Sequence, residues 1–157
     1  MDTKTFTSFL HSNIPLTEFM DIQAETYTPE KVVLSVPFAQ NKNDKNTGFA
    51  GSISALMTVC GWSVMYANFH ELLPKGNIVA QKTQLRYIAP ITSDFRAECI
   101  CNDPESKQAL LDSFAERGKG KLILHIQCFC GDLLTAEMEA TYYTVSYTHL
   151  RAHETLR

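Results

Sequence analysis

The chain has 157 residues, of which 45% are hydrophobic and 20% charged, with 7 glycines and 6 prolines. That length suits one domain with one core, and the composition excludes disorder, collagen-like repeats and low-complexity tracts. The 14 Lys and Arg against 17 Asp and Glu leave a net charge of −3 with no basic run, so nucleic acid, which calls for a basic stripe, is not an expected partner.

The N-terminal stretch reads as a short amphipathic helix. Thr5 or Thr7 serves as its cap, Phe6, Phe9 and Leu10 share a face, and Asn13 and Pro15 end it. The start lacks the apolar run of a secretory signal, and the cysteine count is odd (Cys60, Cys99, Cys101, Cys128 and Cys130). Both features lead to the expectation of a reducing, cytoplasmic location. Met20, Ile22 and Ala24 then alternate with polar residues as a strand, and Val32, Leu34, Val36 and Phe38 as a second one after the Thr28-Pro29-Glu30 turn.

A polar loop, residues 41–46, leads through Gly48 and Gly51 into a stretch without charge, residues 47–69. This stretch is long enough to span a bilayer. Its Thr, Ser, Asn and Gly content points instead to a helix buried inside a protein, so no membrane is expected. Pro74, Gly76 and Asn77 mark its exit. Four strands follow. The first covers residues 78–88, and the second places Phe95, Ala97, Cys99 and Cys101 on one face. A helix over residues 104–117, capped by Asp103 and ended at Gly118, precedes the third strand, residues 122–130. Gly131-Asp132 predicts a tight hairpin into the last strand, with Leu134, Ala136, Met138, Ala140 and Tyr142 facing inward.

Six strands, each with one apolar face, and one helix that is apolar all round predict an α+β domain, an antiparallel sheet curled around a central helix, which is the hotdog arrangement. The domain is expected over residues 1–145. The remainder, residues 146–157 (SYTHLRAHETLR), lacks cap, turn and apolar period. It resembles translated sequencing-adapter or vector sequence, and a genuine polar extension is the alternative.

Few side chains carry a chemical signal. The two Cys-x-Cys pairs have the look of zinc ligands. Their place on the apolar face of two strands makes them buried packing residues, so no metal is expected. His11, His70 and His125 are scattered singly, with no Ser–His–acid spacing and no G-x-S-x-G. Trp62, Tyr66 and Phe69, at near-helical spacing, are expected in the core or a dimer interface; an acyl-chain pocket would use the same residue types. The segment 46–52 says more. Glycines let a ligand approach the backbone, and the N–H groups of a first helical turn carry partial positive charge that suits a developing oxyanion. Simple loop geometry explains the same residues as well.

Asn46-Thr47-Gly48-Phe49-Ala50-Gly51-Ser52, followed by Cys60-Gly61-Trp62 and by Tyr87-x-x-Pro90, resembles the signature of a bacterial hotdog family labelled "putative thioesterase". Its members stand alone or follow a GNAT acetyltransferase domain, and some are malonyl-ACP decarboxylases. One departure is Gly48, where the resemblance leads to an aliphatic residue. The resemblance implies a homodimer with sites at the subunit interface, and Asn46 as the catalytic residue. The Gly51 and Ser52 amides, beside Phe49, are expected to bind the thioester oxygen. Lys42, Lys45 and Arg86 are candidate contacts for acyl carrier protein or CoA, although solvated surface charge accounts for them too.

Three functions follow as expectations. Between Asn46 and His70 there is no Asp or Glu, whereas hydrolytic hotdog enzymes use one as base or nucleophile. Decarboxylation needs only a stabilised enolate, so malonyl-ACP decarboxylation, giving acetyl-ACP and CO2 for the start of fatty-acid synthesis, comes first. An acyl-CoA or acyl-ACP thioesterase is the alternative, and a non-catalytic acyl-thioester-binding dimer the third. None requires a cofactor.

Overall fold

The charge-free stretch forms α3, Ala50–Phe69, and the rest of the chain is built around it. Ile53, Leu56, Met57, Cys60, Val64, Met65 and Phe69 are buried, and so even a helix apolar on every side has cover. The computed structural model describes residues 1–148. Within them six strands supply that cover: β1 Gln23–Tyr27, β2 Lys31–Val36, β3 Gly76–Tyr87, β4 Phe95–Ile100, β5 Lys119–Cys130 and β6 Leu133–Ser146. They form one sheet in the order β1-β2-β4-β5-β6-β3, with every neighbouring pair antiparallel. Each strand touches α3. This is the hotdog arrangement. By length and composition α3 and the 3₁₀ turn after it, Ala50–Lys75, would also cross a membrane; here the sheet takes that apolar surface.

Strict alternation makes the wrap. On β5, Leu122, Leu124, Ile126 and Cys128 point inward while Ile123, His125 and Gln127 face out. Opposite them on β6 stand Tyr142, Ala140, Met138 and Ala136, so two strands present one continuous apolar surface to the helix. α4, Pro104–Arg117, follows the expected grammar: Asp103 accepts from the Glu105 and Ser106 amides, and Gly118 ends the helix at φ 76°.

The structure departs from the sequence reading at several points. The helix α1, Thr3–Asn13, is capped by Asp2, which accepts from the Thr5 amide at 2.7 Å. Thr7 lies inside the helix and accepts from the Ala24 amide, tying α1 to β1. A second helix, α2 Pro15–Phe19, which the sequence reading did not include, precedes the region expected to be a strand from Met20. Pro15 starts it, as its fixed φ favours, and Asp21 at φ 56° turns the chain so that β1 begins only at Gln23. Cys99, Cys101 and Cys128 are buried as expected, but Cys130 is half-exposed. The register shifts between Cys128 and Phe129, because β6 carries one extra residue, Thr135, and past such a bulge the alternation breaks. Trp62 and Tyr66 stack on Phe9 of α1 at 6.4 and 4.7 Å between centroids, so their own chain covers these two rings. β6 runs to Ser146, whose amide donates to the Gly118 carbonyl at 2.7 Å. Residues 149–157 of the segment read as a tail lie outside the described residues.

Candidate active site

The site begins with the loop that feeds α3. Asn41 is buried beneath it; its Nδ2 donates to the Met20 and Pro37 carbonyls, and its own carbonyl accepts the Phe49 amide at 2.8 Å. Asn43 closes the next turn through its Oδ1, which accepts from the Lys45 and Thr47 amides. Asn46 sits at the tip at φ 62°, a left-handed conformation that Asn tolerates better than most residues. Lys42 Nζ donates to Asn46 Oδ1 at 3.1 Å. With the carbonyl end so held, the Nδ2 hydrogens remain the free end of that amide.

The chain then enters α3 without a side-chain cap: Phe49 stands at the N-cap position and makes no capping bond. Ile53 is the first residue of the helix whose amide bonds back, to the Phe49 carbonyl. The Ala50, Gly51 and Ser52 amides are thus the orphan donors of a bare helix N-terminus, which favours negative charge. The Phe49 ring lies over Gly51, where an added Cβ would fall 2.4 Å from Phe49 Cε2. Only glycine admits the ring there.

The opposite wall comes from the end of β3. Tyr87 Oη donates to the Ala50 carbonyl at 3.1 Å. The bulge at Thr135 holds the next two residues, since its carbonyl accepts both the Ile88 amide at 2.8 Å and the Ala89 amide at 3.1 Å. Gly48 donates to the Ile91 carbonyl at 2.8 Å. Between these elements lies a cleft of about 280 Å³ lined by Gly48, Ala50, Ile53, Tyr87, Ile88, Ala89, Pro90 and Ile91. A larger hollow of about 780 Å³ lies on the outward face of the sheet, between Arg86, Glu98, His125, Gln127, Glu137 and Glu139. Leu85, Ile100, Phe129 and Met138 line it as well, and it shares no residue with the loop or the helix N-terminus.

The family model described as "Putative thioesterase (yiiD_Cterm)" matches residues 3–146. The chain belongs to that thioesterase family. A solved structure described as the putative thioesterase from Shewanella oneidensis is 34% identical, with a TM-score of 0.77 over 91% of this chain and 96% of that one. A Pseudomonas aeruginosa protein described as of unknown function and "Probable Thioesterase" aligns at 24% identity, TM-score 0.83, over 94% and 97% of the two chains. A Haemophilus influenzae thioesterase shares 11% identity at a TM-score of 0.72, covering 93% and 92%. The last two show the fold alone.

In this thioesterase-family chain the residues expected to act are partly assembled. Asn46, Lys42 and Lys45 share the loop, and Phe49, Gly51 and Ser52 make the first turn of α3. Asn46 is exposed, and Asn46, Phe49, Gly51 and Ser52 all lie beside the cleft and outside its lining, which Ala50 and Ile53 reach from α3. Arg86 belongs elsewhere: it pairs with Glu137 across the outer face of the sheet. Sequence reasoning gave Asn41, Ile91 and Thr135 no part. Only spacing hints at Asn41, five residues before Asn46. Nothing in the local pattern announces the bulge at Thr135.

Proposed function

We propose that this protein decarboxylates a malonyl thioester, carried on acyl carrier protein, to the acetyl thioester and CO2. The observation that supports it is a bare helix N-terminus beside a cleft lined by Ile53, Ile88, Pro90 and Ile91, with no carboxylate, imidazole or thiol among the lining residues. In the reaction the bond between the carboxylate carbon and Cα breaks, and its electron pair moves into the C=C bond of an enolate. The thioester oxygen takes the negative charge and CO2 departs. The Gly51 and Ser52 amides, with Asn46 Nδ2, are the donors for that oxygen. An apolar wall disfavours the charged carboxylate and favours neutral CO2. Water then protonates Cα, and the acetyl thioester leaves.

The second reading is hydrolysis of an acyl-CoA or acyl-ACP, favoured by the thioesterase descriptions of the family and of the Shewanella protein. In either reading we propose a homodimer. β3 ends the sheet order, and its residues 80–84 are exposed on both faces. A long open edge of this kind presents unpaired N–H and C=O groups that a second copy can cover, and its last residue, Tyr87, lies in the cleft wall. Lys42 and Lys45 are the proposed contacts for the acidic carrier.

One incubation with malonyl-ACP and acetyl-CoA, read by mass spectrometry for CO2, acetyl-ACP and free thiol, separates the readings. Asn46→Ala lowers decarboxylation by about 10²-fold, the usual effect of losing one oxyanion donor. Asn46→Asp is at least as harmful, because a carboxylate only accepts. Free thiol without CO2 from the unaltered protein, rising in Asn46→Asp, would establish hydrolysis instead.

A further inference from the structure

Within the cleft, exposure separates floor from rim. Ile91 and Ile53 are 1% and 5% exposed, whereas Tyr87 and Ile88 are 51% and 44% exposed. Ile91 is also clamped. Its carbonyl accepts the Gly48 amide at 2.8 Å, and its side chain presses on the Gly48 Cα so closely that a Cβ there would lie 2.9 Å from Ile91 Cβ and 3.2 Å from Cγ2. The residue that departs from the expected aliphatic pattern is therefore the one that lets Ile91 move in against the loop.

We infer that Ile91 is the floor of the acyl pocket and sets the length of acyl chain accepted, a specificity role that rests on the thioester reading above. The cleft starts at Ala50, in the first turn of α3, and ends on a side chain with no freedom to swing aside. Its volume of about 280 Å³ sits at the bottom of the usual range for small-molecule sites, roughly 300–1,000 Å³. The pocket thus takes acyl groups only as long as the path from Ala50 to Ile91 and excludes longer ones. Bottomless pockets gain affinity with every added methylene, about fourfold each; this one stops gaining when the chain meets Ile91.

The test uses 2-oxoalkyl ketones of three to ten carbons, joined as thioethers to CoA and to the phosphopantetheine thiol of acyl carrier protein. These keep the carbonyl but cannot be hydrolysed, so binding is read by calorimetry whatever the catalytic outcome. Affinity for the unaltered protein is expected to rise over the shortest members and then fall. Ile91→Val moves the optimum up by about one carbon and Ile91→Ala by two to three, with roughly fourfold tighter binding per methylene newly accommodated. Ile78→Ala, which removes the same atoms from a buried site outside the cleft, leaves the optimum where it was; circular dichroism verifies that each variant is folded. An unchanged optimum in folded Ile91→Val and Ile91→Ala overturns the floor assignment and leaves the thioester reading intact. Binding of no ketone by the unaltered protein overturns the thioester reading and the floor with it.

Discussion

At the scale of single residues, Gly61 explains half of the Cys60-Gly61-Trp62 motif without any chemistry. The Tyr142 ring lies so close to α3 that a Cβ on Gly61 would fall 2.4 Å from its hydroxyl oxygen. That hydroxyl donates to the Thr58 carbonyl at 2.6 Å inside the core. Gly61→Ala is expected to destabilise the protein by about 1–3 kcal/mol through overpacking. Tyr142→Phe, which removes only the hydrogen bond, is expected to cost about 1 kcal/mol. Urea titration of both variants checks the ranking, and a larger loss in Tyr142→Phe would make the bond, not the fit, the reason for glycine. The motif was legible in the sequence as a signature, but its partner, Tyr142, is 81 positions away and no local pattern links them. Separation in sequence also hides Thr135, whose carbonyl shapes the cleft from the neighbouring strand β6.

At the scale of elements, α1 is a lid over the middle of α3. Phe6 is fully buried and stacks on Tyr27 of β1 at 3.7 Å between centroids, while Phe9 meets Trp62 and Tyr66. Phe6→Ala is expected to destabilise by about 3–5 kcal/mol, as large-to-small changes of a core aromatic do, with a fall in near-ultraviolet dichroism as the rings lose their order. α4 depends on its cap. The Ser106 hydroxyl and amide hold the Asp103 carboxyl below its ordinary value, so this contribution is present at neutral pH and is lost as pH falls through that lowered value. Asp103→Ala is expected to lower Tm at pH 7 and to change it little at pH 2; an equal drop at both would make the effect one of helix propensity. Long periodic elements were legible: α3, α4 and the β5–β6 hairpin stand where alternation and turn residues placed them. The region between Asn13 and Gln23 was not, because Met20 and Ile22 are buried by a short helix and a left-handed turn, which mimics the period of a strand.

At the scale of the whole molecule, the buried thiols make the fold sensitive to alkali. Burial pushes Cys99 up to about 12 and Cys128 up to about 11, and burial likewise raises Cys60 and takes Tyr27 to about 12. The folded chain keeps these protons, while the unfolded chain releases its thiol protons near pH 9. Stability is therefore full below about pH 8 and falls as pH rises from about 9 to 12, by about 1 kcal/mol per buried thiol at pH 10. Urea midpoints between pH 7 and 11 check this, and Cys99→Val is expected to reduce the slope. The open edge of β3 predicts a dimer at micromolar protein by light scattering; a monomer would overturn the proposed homodimer. The sequence told that the sheet must wrap α3, because a helix apolar all round needs cover, but not which strand would lie at the edge. Strand order is decided by pairings between distant segments, β3 with β6 and β4 with β5, and alternation along one strand carries no record of its neighbour.

The bare first turn of α3 also has a kinetic signature. Amides bonded within helix or sheet exchange with solvent deuterium only when the structure opens, whereas unbonded amides near the surface exchange from the folded state. Ala50, Gly51 and Ser52 should therefore be labelled within seconds at the head of a helix whose later turns, from Met57 to Met65, stay dark for hours. Ile88 and Ala89, hung from one carbonyl, belong to the slow class although they line the same cleft. A bound thioester would retard the fast set and leave the slow set as it was, so the cleft's occupant can be followed by exchange alone, residue by residue.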